Sequence, residues 1–311
     1  MSARDLRYSA VPVNYRDPDM PAKLSGPTSQ TFFSQRQRLH FVEWGNPDAP
    51  PLLLVHGGRD HCRNWDAVAE ALRTDWHVIA PDLRGHGDSE WSADGNYSMN
   101  AYLYDLAQLI HQKNLAPVTI IAHSLGGNIS LRYTGLYPDT VRRLVAIEGL
   151  GLPPKMQAER DSKPLHERIV DWIEERRGLA GRMPRRYPTI DDALARMQAE
   201  NKHLSPAQAR HLTVHGVNQN EDGTYSWKFD NYVRSWAPYD LPPGELEQLW
   251  GRITCPTLLV YGTESWASNP ADDGRLAHFN NASVAAVAGA GHWVHHDQLD
   301  TFLAITREFI T

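Results

Sequence analysis

The clearest signal in the chain is a set of short, wholly apolar runs bounded by glycine, proline and charged residues. Pro51–Val55 (PLLLV), His77–Ala80, Val118–Ala122 (VTIIA), Leu144–Ile147 (LVAI) and Thr257–Tyr261 (TLLVY) have the length and texture of strands buried on both faces. Ser283–Val287 is a weaker run of the same kind. Between them lie segments with helical spacing: Trp65–Leu72, Asn100–Lys113 with Leu103, Leu106 and Ile110 on one face, Leu125–Tyr137, and a closing Asp297–Ile310. Ahead of these, Thr31–Ser34 and Leu39–Trp44 read as two strands joined by a short turn at Gln35–Arg38. Buried strands alternating with helices predict parallel βαβ units, and so an α/β fold with a mostly parallel, doubly wound sheet of eight strands.

Two stretches break the pattern. Residues 1–30 are rich in Pro, Asp and Ser and lack periodicity; they read as an irregular arm with Tyr8, Val11, Val13 and Tyr15 as anchors. From about Leu152 to Leu249 the chain turns helical and polar, through HERIVDWIEERRG, TIDDALARMQAEN and SPAQARHLTVHG, with Tyr225–Phe229 as the sole short strand candidate. The expected organisation is an arm over 1–30, a core over 31–151 and 250–311, and an inserted helical cap over 152–249.

Composition narrows the class. A chain of 311 residues with 41% hydrophobic positions buries a full core without disulfides or structural metals. Its net charge of −6 is spread along the sequence, so no nucleic-acid arm or basic membrane patch is expected. Cys62 and Cys255 cannot form a disulfide framework. No window reaches the length of a spanning helix, and the first residues carry no apolar signal core, so a soluble cytoplasmic protein is expected. Monomer and homodimer both stay open.

The chemistry centres on Ile121–Gly127, IAHSLGG. Ser124 lies between a buried strand and a helix and is flanked by the small residues Ala122, Gly126 and Gly127. A sharp strand-to-helix turn exposes such a hydroxyl and needs small neighbours to avoid clashes. The bland reading is a helix N-cap. His56-Gly57-Gly58 ends an earlier strand, where the Gly58 amide joins that of Leu125 as a pair of oxyanion donors. Gly289-Ala290-Gly291-His292-Trp293 frees a late histidine from regular structure, as suits a general base. The turn Pro81–Ser89, PDLRGHGDS, reads as structural, with internal charge pairing. HLTVH at 211–215 and HWVHH at 292–296 space histidines four apart, but the first lacks the glutamate of HExxH and the second starts in a loop. No metal site and no cofactor are expected.

HGG at 56–58, PDLRGHGDS at 81–89, AHSLGG at 122–127 and GAGHW at 289–293 resemble, in order and spacing, the α/β-hydrolase fold superfamily. The resemblance covers roughly residues 31–311. Within it the chain is similar to the branch of serine hydrolase-like proteins, meta-cleavage-product hydrolases and haloalkane dehalogenases, which carries a helical cap. Ala122 replaces the first glycine of the usual elbow, a minor departure. Ser124 in place of aspartate argues against dehalogenase and epoxide hydrolase chemistry.

The resemblance implies a third, acidic residue three positions after Gly262, and that position is Ser265. Glu148, directly after the sixth strand, is the favoured replacement, since a glutamate ending an apolar strand needs a partner. Glu264 is the second choice, with Asp272 and Asp273 behind it. The expected activity is hydrolysis of small or medium carboxylic esters through an acyl-enzyme on Ser124. Carbon–carbon hydrolysis of a meta-cleavage product, lactone hydrolysis, acyl transfer and a ligand-sensing receptor with little turnover are the alternatives. Trp172, Trp227, Trp236, Trp266 and Trp293, with Leu150, Leu152 and His123, are candidate pocket residues. Arg59 and His61 are placed near its entrance. Arg142 and Arg143 fall on the wrong side of the sixth strand to hold a substrate carboxylate.

Overall fold

A computed structural model describes residues 25–311; the proposed anchors Tyr8, Val11, Val13 and Tyr15 lie outside the described residues. The elements follow the order β1 (Ser25–Ser34), β2 (Gln37–Gly45), β3 (Pro51–Val55), α1 (Asp66–Leu72), β4 (His77–Pro81), α2 (Met99–Gln112), β5 (Val118–His123), α3 (Leu125–Leu136) and β6 (Val141–Ile147). Then come α4 (Pro154–Ser162), α5 (Leu165–Leu179), α6 (Ile190–Glu200), α7 (Pro206–Gly216), β7 (Val217–Gln219), β8 (Tyr225–Trp227) and α8 (Pro243–Gly251). The chain closes with β9 (Thr257–Gly262), β10 (Ala282–Val287), α9 (Val294–Asp297) and α10 (Leu299–Ile310).

The described residues build an eight-stranded sheet in the order β1-β2-β4-β3-β5-β6-β9-β10. β1 and β2 pair antiparallel, as do β2 and β4; every later pair is parallel. The hairpin begins at Ser25, six residues before the start read from the sequence, and turns tightly at Gln35 and Arg36, both with positive φ. Apolar alternation was too weak in SGPTSQ to reveal those extra residues, because β1 is an edge strand and its outer face is polar.

Both faces of the sheet are covered, which is why the strand runs are apolar throughout. In β3, Leu53 and Val55 join one core with Leu109 of α2, Ile129 of α3 and Trp250 of α8, while Leu52 and Leu54 join the other with Val68 of α1 and Phe302 of α10. Each such fully buried side chain contributes about 1.5–3 kcal/mol.

The turn after β4 is hydrogen-bonded within itself, as where the Asp88 amide donates to Asp82 at 2.9 Å, but its charges do not pair with one another as its pattern had suggested. Arg84 makes a buried bidentate pair with Asp105 of α2 at 2.5 and 2.7 Å, and Asp82 accepts from His40 of β2 at 2.7 Å and from the Cys62 amide at 2.6 Å. These contacts tie the turn to three neighbouring elements.

Between β6 and β9 the polar helices are held by local signals. Thr189 and Asp192 form a reciprocal capping box on α6, and Ser205 and Gln208 do the same on α7. Tyr225–Trp227 is indeed a strand, paired with Val217–Gln219. Among the described residues, no helix is long and apolar enough to cross a membrane.

Candidate active site

The parallel register lines up three strand ends. His123 of β5 pairs with Ile147 of β6, and Ile147 pairs with Val260 of β9. The next residues along, Ser124 and Glu148, therefore leave the sheet side by side, at the carboxyl edge where ligands of such sheets gather. The Ser124 amide donates to the Ile147 carbonyl at 2.8 Å, and the Glu148 amide donates to the Val260 carbonyl at 3.0 Å.

Ser124 sits in strained backbone, φ 50° and ψ −113°, and makes no capping hydrogen bond to α3. Such conformations cost about 1–3 kcal/mol and persist only where the surroundings enforce them. The neighbouring glycines are enforced by contact. A Cβ on Gly126 would stand 2.5 Å from the His56 carbonyl oxygen, and one on Gly127 would stand 2.7 Å from the Gly149 Cα. Ala122 is fully buried, and its methyl is accommodated.

His292 reaches Ser124 from the loop between β10 and α9. The Ser124 hydroxyl donates to His292 Nε2 at 3.0 Å, and His292 Nδ1–H donates to Glu148 Oε2. Two further donors hold the Glu148 carboxylate: the Gly262 amide at 3.0 Å to Oε1 and the Ser265 hydroxyl at 2.6 Å to Oε2. Glu148 itself is buried with φ 49°, so its backbone too is strained at this point. The His292 loop is fastened by His123 Nε2–H to the His292 carbonyl at 2.9 Å and by the Gly291 amide to Asp297 Oδ2 at 2.8 Å. Burial pushes His123 well below the ordinary histidine value, so it stays neutral and keeps a single donor for that contact.

The other acid candidates lie elsewhere. The Glu264 carboxylate is 58% exposed and its nearest ionic partner is His203 at 4.0 Å. Asp273 is engaged by Arg275 at 2.6 Å, and Asp272 is exposed. The part of the sequence that points to Glu148 is its position; its partner Ser265 was recognisable in the sequence only as a missing acid.

An open cleft of about 1930 Å³ contains Ser124, Glu148 and His292 together with Gly58 and Leu125. Leu125 opens α3, so its amide has no acceptor within the helix. Arg59, His123, Leu150, Leu152, Trp172, Trp236, Trp266 and Trp293 line the same cleft. Trp266 lies over His292, ring centroids 5.1 Å apart. Two sequence-predicted residues do not belong there. Trp227 packs edge-on against Tyr187, and His61 is buried with Nε2–H donating to the Leu212 carbonyl of α7 at 3.0 Å. Arg142 and Arg143 sit at the start of β6, the end opposite Glu148.

Metal-binding side chains also meet in two places among the described residues: His40, Cys62 and Asp82, and Asp66, His211 and His215. Asp66 already holds Arg63 at 2.6 Å and His211 at 3.2 Å, and Asp82 holds His40. Ser29 extends that second pair, its hydroxyl 2.7 Å from His40 Nε2, but none of the three lines the cleft.

Comparison with known proteins agrees with this architecture. The sequence profile of the alpha/beta hydrolase fold matches residues 50–299. Esterase Rv0045c of Mycobacterium tuberculosis is 26% identical, with 92% of this chain and 91% of that protein covered. Esterase YbfF of Escherichia coli is 29% identical over 84% of this chain and 92% of its own. The thioesterase domain from the curacin biosynthetic pathway superposes with a TM-score of 0.78 at 21% identity, covering 90% of this chain and 99% of that one. Because the family profile matches residues 50–299, from the start of β3 into α10, the chain belongs to the α/β-hydrolase fold family.

Proposed function

We propose that this protein is a serine hydrolase that cleaves carboxylic esters of small molecules. The observation that carries the reading is the unbroken hydrogen-bond chain from Ser124 through His292 to the buried Glu148. Relatives named as esterases, each aligned over most of its length, support it.

In this mechanism His292 Nε2 takes the Ser124 proton as the hydroxyl attacks the ester carbonyl. Glu148 fixes the His292 tautomer and stabilises the imidazolium. The Gly58 and Leu125 amides receive the developing oxyanion. His292 passes its proton to the departing alcohol, and water activated by the same ring then frees the acid. Residues 152–249 act as a cap, with Trp172 and Trp236 lining the cleft together with Leu150, Trp266 and Trp293 of the core. The Ser265 contact to Glu148 speaks against a receptor with a defective acid, since the carboxylate is supplied from the neighbouring strand.

Hydrolysis of p-nitrophenyl acetate, butyrate and octanoate by wild type and Ser124→Ala tests the proposal. Wild type turns over at least one ester, and the alanine variant loses roughly 10³-fold or more in kcat. Equal activity in both proteins would remove Ser124 from the mechanism.

A further inference from the structure

The ester mechanism leaves several charged side chains of the cleft without a task. Arg59 and Arg234 both line the cleft that contains Ser124. Most of its other cations are committed to carboxylates: Arg132 to Asp240 at 2.5 Å, Arg275 to Asp273 at 2.6 Å, Arg168 to Asp161 at 3.4 Å, and Lys163 to Asp171. Neither Arg59 nor Arg234 has a carboxylate in ion-pair contact among the described residues. The acid next to Arg59 in sequence, Asp60, is buried and turned inward, accepting from the His61 amide and from Asn64.

Both guanidinium groups are exposed, on backbone that is held in place. Arg59 follows Gly58 directly and adopts φ 62°, a left-handed conformation that would favour glycine. Arg234 ends a short turn, Asn231–Arg234, that is pinned to the core through Asp230. That carboxylate accepts from the Tyr232 amide at 3.1 Å and from the Tyr97 hydroxyl at 2.6 Å, and the Asp230 amide donates to the Gly85 carbonyl at 2.9 Å. The Arg234 guanidinium lies 5.2 Å from the centre of the Phe229 ring. Partial burial and, next, the charge of Arg59 push the Arg234 guanidinium below its ordinary value, against the opposing pull of Glu200, a cleft residue already paired with Arg196. Two unpaired guanidinium groups on the wall of one cleft favour an anionic ligand there. Guanidinium groups suit a carboxylate in particular, through paired parallel hydrogen bonds.

We propose that Arg59 and Arg234 form an anion subsite, so that the ester cleaved at Ser124 carries a carboxylate on its acyl or its alcohol portion. The inference rests on the ester-hydrolase reading and names its substrate class.

The test uses matched pairs of esters: mono-p-nitrophenyl glutarate against p-nitrophenyl butyrate for the acyl side, and 4-carboxyphenyl butyrate against phenyl butyrate for the alcohol side. Wild type favours the charged member of at least one pair. Arg59→Gln and Arg234→Gln each lower that charged-to-neutral ratio of kcat/KM by about tenfold or more, chiefly through KM, and raised salt lowers it in wild type alone. A ratio that the variants leave unchanged, or no preference in wild type, overturns the subsite while ester hydrolysis stands. Calorimetric titration of Ser124→Ala with glutarate reads the subsite without turnover. Binding that disappears in the Arg59→Gln and Arg234→Gln backgrounds supports it even if no ester is cleaved. Absence of glutarate binding, or binding of inorganic phosphate in its place, overturns it.

Discussion

The hydroxyl of Ser265 donates at 2.6 Å to the same Glu148 oxygen that receives Nδ1–H of His292. The loop after β9, where the family resemblance places an acid, here supplies a hydrogen-bond donor to a carboxylate at the end of the adjacent strand β6.

If Glu148 is the orienting acid, Glu148→Gln lowers kcat on p-nitrophenyl butyrate by about 10³–10⁴-fold, the scale on which loss of a triad carboxylate acts. Ser265→Ala leaves the carboxylate in place and lowers kcat far less, by about tenfold. The double exchange Glu148→Ser with Ser265→Asp regains part of the loss by moving the acid to the neighbouring strand. Glu264→Gln, an exposed position, stays within about twofold of wild type. Retained activity in Glu148→Gln together with loss in Glu264→Gln would reverse the assignment.

Gly126 and Gly178 offer a contrast in stability. An added Cβ at Gly126 meets the carbonyl oxygens of His56 and Val55 at 2.5 and 2.6 Å, whereas at Gly178, in the exposed last turn of α5, it meets nothing within 4 Å. Gly126→Ala should destabilise the fold by about 1–3 kcal/mol. Gly178→Ala should stabilise it by about 0.5–1 kcal/mol. Urea denaturation midpoints report both, and a neutral Gly126→Ala would mean that α3 can shift away from β3.

Stability should fall in mild acid. Burial pushes His56 and His296 down to about 3 and His86 down to about 4, and holds His123 and His295 well below the ordinary value of 6.5. The unfolded chain takes up these protons as pH drops through 6.5, while the folded chain resists them to lower pH. Stability is thus fully present above about pH 6.5 and is lost as pH falls toward 4, by up to about 1.4 kcal/mol per pH unit for each histidine. Asp60, raised to about 6 by burial, Asp297, raised likewise, and His211, raised by its contact with Asp66, work in the opposite sense, but they are three groups against six lowered histidines once His215, pushed down to about 4 by partial burial, is included. Melting temperatures measured from pH 8 to 4.5 should be level above pH 7 and drop steeply below 6. A flat profile would mean that these rings reach solvent.

The strands, the elbow and the late histidine were legible because each rests on local chemistry: five-residue apolar runs, small residues around Ser124, glycines before His292. Glu148 was legible for a related reason, as a charge at the end of a buried strand. What escaped was set by distance in sequence. Ser265 lies 117 residues from Glu148, and its hydroxyl gave no sign of the contact until β9 was laid beside β6. The Arg84–Asp105 pair was hidden likewise, since the nearer charges in PDLRGHGDS offered a local pairing that the turn does not use. Arg234 carried no local signal at all, its place in the cleft depending on how the turn after Asp230 docks on Gly85.

β6 and β9 are hydrogen-bonded neighbours although 109 positions separate Ile147 from Thr257 by number. A parallel pair needs a return path across the sheet, and α8, packed against α3 with Trp250 in the core, provides one in nine residues. Topologically, then, α8 alone closes the βαβ unit, and the residues from α4 to β8 form an excursion that leaves and rejoins above the strand ends. Their length does not enter the strand pairing that sets Ser124 beside Glu148, although α7 and the turn at Asp230 dock on the core. Under the proposed ester chemistry, reactivity is bound to the spacing of paired strands, while part of the cleft wall, Trp172 and Arg234 included, comes from the excursion between them.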